Sequence, residues 1–157
     1  MIVSPQKRSS EEFLSNLKII SGQKGFALDL KLIKRYLQLY RFQDKSRPYF
    51  LFIHGSLNSF WEISANWEEI THLIPSDETN WAVIFLQKAS GENSPLGFLI
   101  SSDDFLKMKS GLGINRMGRI KIHKKDLAVE NQFDSWDSFF QLLNLTFDPI
   151  PAFHWNA

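Results

Sequence analysis

Seven cations crowd one stretch of this chain: Lys107, Lys109, Arg116, Arg119, Lys121, Lys124 and Lys125. His123 stands among them, and no aspartate or glutamate occurs between Phe105 and Lys125. That stretch carries seven of the chain's 18 Lys and Arg side chains, a density suited to the repeating charges of a phosphate backbone. The competing reading is a solvated sheet face whose lysines guard an edge strand against pairing with another chain.

Other chemistry is thinner. His54, His72, His123 and His154 are scattered, with no pair four apart on a helix to hold a metal. Ser56 follows His54-Gly55, but Leu57-Asn58 breaks the pattern of a nucleophile elbow, and nothing local supplies an ordered triad. Gly111-Leu112-Gly113 with Gly118 fits neither nucleotide-binding loop and precedes a strand, so a flexible turn is expected. Trp61 and Trp67 flank a polar segment containing Glu62 and Glu68; they suit either stacking on a base or sugar, or burial in a core.

The elements that must position these groups follow from periodicity. Trp81-Ala82-Val83-Ile84-Phe85-Leu86 is a short unbroken apolar run, expected as a strand covered on both faces. Gly91 to Pro95 is turn chemistry, and Leu96 to Ile100 the return strand. Ser101 or Ser102 then caps a helix with Asp103 and Asp104 in its first turn, Lys107 and Lys109 in its last, and Gly111 as its stop. Gly118 to His123 alternates, placing Ile120 and Ile122 inward and Arg119, Lys121 and His123 on the other face. Upstream, Ser9 with Glu12 forms a capping box for a helix with a stripe of Phe13, Leu14, Leu17 and Ile20, ending at Gly22. Residues 26 to 33 read as extended. Gly25 to Phe42 fits both the helix and the strand period, and beyond Ile33 the two stay open, because a hairpin needs a turn and Lys34-Arg35 is poor turn material. Tyr49 to Ile53 is a strand ending at His54-Gly55-Ser56, and Phe60 to Ile63 a short strand. Trp67, Ile70, Thr71 and Ile74 share a helix face stopped by Pro75. Asp134-Ser135 opens a last helix burying Trp136, Phe139, Phe140 and Leu143, and residues 146–157, with two prolines, are expected to be irregular.

The 157 residues make one domain, with its globular core at 9–145, and 43% hydrophobic content argues against wholesale disorder. A net charge of +1 gives no global drive towards nucleic acid or membrane, so any basic site is a local patch. Without cysteine there is no thiolate nucleophile or cysteine-held zinc. The amino terminus has no apolar signal core and no run is long enough to span a bilayer, so a cytoplasmic protein with no membrane contact is the expectation.

In this order of elements, with Asp29 in the extended segment and a strand ending His54-Gly55-Ser56, residues 9 to 145 resemble the restriction-endonuclease-like PD-(D/E)XK nucleases. The resemblance implies a single α/β domain with a central mixed sheet flanked by helices. It matches Asp29 to the first metal-binding acid, puts Phe52 where the second acid or glutamine belongs, and puts His54 in place of the catalytic lysine. Phenylalanine offers no oxygen to Mg²⁺ and histidine is no permanent cation, so the implied centre is decayed. An alternative placement takes Asp29-x-Lys31 as the acid–lysine pair, with Glu11 or Glu12 adding a carboxylate.

The leading expectation is therefore a catalytically impaired nuclease-like module, with no cofactor, binding DNA or RNA through Lys107, Lys109, Arg116, Arg119, Lys121 and Lys124. A second is an adaptor or immunity-type subunit that binds a protein through Trp61, Trp67 or the tail Phe153-His154-Trp155. A third is an active Mg²⁺-dependent nuclease using Asp29 as metal ligand.

Overall fold

Every residue of Trp81–Leu86 is buried, and the fold is built outward from that strand. The computed structural model describes residues 5–23, 30–34, 38–44, 47–55, 60–64, 81–87 and 95–147. In chain order its elements are α1 (Pro5–Gln23), β1 (Lys31–Lys34), β2 (Leu39–Asp44), β3 (Arg47–Gly55), β4 (Phe60–Ser64), β5 (Trp81–Leu86), β6 (Gly97–Ser101), α2 (Ser102–Ser110), β7 (Arg119–His123), β8 (Gln132–Phe133) and α3 (Trp136–Phe147). Two single 3-10 turns, Lys124–Asp126 and Val129–Asn131, join β7 to β8.

The main sheet has six strands in the order β1-β2-β3-β5-β6-β8. All neighbours are antiparallel except β3 and β5, which run parallel with His54 level with Phe85 and Gly55 level with Leu86. The protein is thus a mixed α/β domain with a mixed central sheet. Alternation along each strand divides the core in two. Tyr49, Leu51, Ile53, Ala82, Ile84, Leu86 and Leu99 meet α1 and α3 on one face. Phe50, Phe52, Trp81, Val83, Phe85, Phe98 and Ile100 meet Phe105 of α2 and a separate two-stranded ribbon of β4 and β7 on the other.

Both caps expected downstream are present. Ser101 Oγ accepts from Asp104 N–H at 3.2 Å, and Ser135 Oγ accepts from Ser138 N–H at 3.1 Å, each satisfying a first-turn donor that has no helical partner. Trp136, Phe139, Phe140 and Leu143 are buried as their spacing requires. α3 continues to Phe147, which is also buried, so the first two residues of the expected irregular tail are helical; residues 148–157 lie outside the described ones.

One expectation is corrected and one open reading is resolved. α1 starts at Pro5, so Ser9 is inside the helix and not its cap. Proline is at home in a first helical turn, where its missing N–H costs no hydrogen bond. Phe13 and Leu17 are buried and Leu14 and Ile20 pack beside them, so the stripe itself holds. The ambiguity beyond Ile33 resolves as a hairpin, β1 against β2. Gln38 takes a left-handed φ of 54°, and its carbonyl accepts from Ile53 N–H of β3 at 2.9 Å. The end of this turn is fixed by a third strand rather than by a Gly or Asn of its own.

Candidate nucleic-acid interface and the end of strand β3

The basic strand folds as its alternation requires. Ile120 and Ile122 are each 1% exposed and point into the core, while Arg119 and Lys121 are exposed and His123 is half-buried. Its partner is β4, not the edge of the main sheet: Trp61 faces Ile122, Glu62 faces Lys121 and Ile63 faces Ile120. Two interactions at this face were not legible in the sequence. The Lys121 ammonium lies 4.0 Å from the centroid of the Phe60 ring, a cation–π contact that holds the lysine stem along the strand. Glu62, half-buried, sits directly across the ribbon from Lys121. A stretch free of acids in sequence therefore acquires one in space. The sequence signal was the alternation of Phe60-Trp61-Glu62-Ile63, which marked a strand without naming its partner.

The segments flanking β7 are ordered. Before it, Asn115 closes a tight turn: its Oδ1 accepts from Met117 N–H at 2.9 Å and Arg119 N–H at 3.0 Å. Asn115 N–H donates to the Arg119 carbonyl at 2.8 Å, and Gly118 N–H to the Asn115 carbonyl at 3.0 Å. Gly118 has a φ of 69°, which a side chain would strain. The expected flexible turn is thus a hydrogen-bonded one. After it, the Asp126 carboxylate accepts from His123 N–H at 2.9 Å and fixes a 3-10 turn on which Lys124 and Lys125 are exposed. Arg116 is exposed on the first turn. On α2, Lys107 is exposed and Lys109 half-buried; α2 and β7 cover the same face of the main sheet through Phe105, Ile120 and Ile122.

The positions matched to a nuclease centre fare differently. Phe52 is a core residue at 2% exposure, edge-on to Trp81 at 5.8 Å between ring centroids. His54, two residues on, points to the same side of the sheet and stacks on Phe85 at 5.9 Å. Burial lowers its pKa from 6.5 to about 4, because the apolar surroundings disfavour the imidazolium. At neutral pH it is uncharged and cannot replace a lysine cation. Asp29 lies outside the described residues, but the strand that follows it, β1, pairs with β2, and β2 stands between β1 and β3. Lys31, Glu11 and Glu12 are exposed, the first on the edge strand and the others on α1. Among the described residues no group of three or more His, Asp or Glu side chains could hold a metal ion. Mg²⁺ wants hard oxygen donors, and Phe52 offers none.

Of the aromatics expected to bind a partner, Trp61 is corrected: it is 2% exposed and donates from Nε1 to the Leu86 carbonyl at 2.8 Å. Its polar edge is satisfied inside the protein, so burial wins over display. Trp67, Ser56, His72 and the tail Phe153-His154-Trp155 lie outside the described residues. No described helix is long and apolar enough to cross a membrane.

Compared with known protein families, curated proteins and solved structures, the chain gives no match. Fold and site define an α/β domain with an outward-facing basic ribbon.

The depressed His54 pKa has a consequence for stability. Between pH 4 and 6.5 the unfolded chain binds a proton at this position that the folded chain refuses, so stability rises with pH across that window. The contribution is complete above pH 6.5, is lost as pH falls to about 4, and amounts to at most roughly 3 kcal/mol. Urea unfolding at pH 7, 5.5 and 4 should show a steeper loss in the wild type than in His54→Gln; parallel losses would contradict a depressed His54.

Proposed function

We propose that this protein is a catalytically impaired nuclease-like module that holds nucleic acid against the outward side of the β4–β7 ribbon and its flanking turns. The observation that carries the reading is the fixed display of Arg119 and Lys121 on a strand whose other face, Ile120 and Ile122, is locked in the core. Arg116 and Lys124 extend the same charge from ordered turns at its two ends. Glu62 offsets one cation, which leaves a net positive surface. Lys107 and Lys109, on the same layer, are the outlying contacts. Among the described elements, α1, the strand ending His54-Gly55 and the β5–β6–α2–β7 unit fall in the order of the nuclease resemblance, although β2 separates β1 from β3, while Phe52 and the neutral His54 speak against cleavage. A cysteine-free chain suits a cytoplasmic setting.

Binding should be strongly salt-dependent. Four phosphate contacts, from Arg116, Arg119, Lys121 and Lys124, correspond to a loss of about a hundredfold in affinity for duplex DNA between 50 and 200 mM salt. Arg119→Gln with Lys121→Gln should lower the salt slope by about 2, and plasmid incubated with Mg²⁺ should remain uncut. Absence of binding to DNA or RNA at 50 mM salt, or an affinity indifferent to salt, would defeat the proposal.

A further inference from the structure

Among the described residues, every Phe, Tyr and Trp side chain but two is buried. One of the two, Tyr40, packs against the core on the side of α1 and α3. The other, Phe60, is half-buried and belongs to neither core cluster. Alternation puts it on the outward side of β4, because the buried Trp61 and Ile63 take the inward side. Its neighbours there are polar. His123 is its partner in register, with ring centroids 6.1 Å apart at 46°, and the Lys121 ammonium stands 4.0 Å from its centroid. Arg119 is exposed two residues before Lys121 on the same face. Glu62 shares that face and repels phosphate, so the cations that can meet one run along β7.

A ribbon guarded only against pairing needs the lysines and not the ring. A phenyl ring beside an ammonium matches the two ends of one nucleotide, a base with its π face and a phosphate. Stacking on a base is worth more to a ring than an exposed cation–π contact, so a base can take the ring while Lys121 turns to the phosphate. In a duplex the base faces are stacked on one another and closed to a ring on a sheet. In a single strand they are open.

Building on the proposed nucleic-acid binding, we propose that the outward face of the β4–β7 ribbon is a single-strand platform, on which Phe60, flanked by His123, stacks a base while Lys121 and Arg119 follow the phosphates. The ligand class is accordingly single-stranded DNA or RNA, held with little regard to sequence because every base has a π face.

The test uses the full chain and four probes of equal length at 50 mM salt: a strand of twelve thymidines, a strand of twelve uridines, a twelve-base-pair duplex, and an abasic strand that keeps the phosphates without the bases. At least one base-bearing strand should bind about tenfold more tightly than the duplex and the abasic strand. Phe60→Leu, which keeps apolar bulk but has no π face, should remove that advantage and leave the salt slope unchanged. Phe60→Trp should keep the advantage. An advantage that survives in Phe60→Leu or is lost in Phe60→Trp overturns the stacking role. Equal affinity for single strand and duplex, or an abasic strand bound as tightly as a base-bearing one, overturns the platform and leaves the basic-ribbon reading standing. Failure to bind any of the four probes removes the ribbon reading and the platform together.

Discussion

Trp61→Ala should cost about 3–5 kcal/mol of stability, the range for emptying a fully packed aromatic site. The indole fills the space between the ribbon and the main sheet. It lies 5.3 Å from the Phe85 ring and 6.2 Å, edge-on, from Phe98. Its N–H serves the carbonyl of Leu86, the last residue of the central strand. Truncation leaves a cavity and also strips that buried carbonyl of its donor, a penalty of about 1–3 kcal/mol on its own. Trp61→Phe separates the two terms, since it keeps most of the apolar volume and should show mainly the hydrogen-bond loss. Because a whole domain is stable by only about 5–15 kcal/mol, the alanine variant should unfold at a much lower urea midpoint. Function should suffer by the same route. Trp61 is the register partner of Ile122, so loosening it frees the strand that displays Arg119 and Lys121. A loss below about 1 kcal/mol in urea titration would show that the ribbon is not anchored through this residue.

Gly97→Ala should be nearly as damaging, for a reason of space. A Cβ there would stand 2.4 Å from the Phe85 carbonyl oxygen, 3.0 Å from Phe133 Cζ and 3.2 Å from Leu86 Cα. The nearest atoms include backbone of β5, which is held between β3 and β6 and cannot yield as a surface side chain would. Overpacking of this kind costs about 1–3 kcal/mol and sometimes more; with the β5–β6 and β6–β8 ladders both forced apart, about 3 kcal/mol is expected. Gly113→Ala is the control, since nothing lies within 4 Å of its Cβ position, and it should leave stability within about 0.5 kcal/mol of wild type. Indistinguishable unfolding midpoints for the two variants would refute the close approach at Gly97.

The parts of the fold legible in the sequence are those in which a residue's fate depends on its chain neighbours. Six apolar residues in a row specified the doubly covered β5. Strict alternation placed Ile120 and Ile122 inward and Arg119 and Lys121 outward. Ser101 and Ser135 marked helix starts because a cap acts on N–H groups two or three residues away. The wide aromatic stripe of α3 needed no tertiary knowledge to be assigned to a core. The cation cluster, too, was countable before folding.

Only the tertiary structure decided what each of these elements meets. Residues beyond Ile33 fit two periods, and a carbonyl bond from Gln38 to β3 ties down the end of the turn between β1 and β2. The register of β4 against β7 put Glu62 opposite Lys121 and Phe60 beneath it, and packing on Leu86 took Trp61 from the list of displayed aromatics. His54 carries the same imidazole wherever it lies. Its neutrality comes from burial, on a strand where it stacks on Phe85, a residue far along the chain. Spacing along a chain fixes direction and local hydrogen bonding, whereas charge state, burial and charge compensation are set by neighbours in space, which strand order and register select.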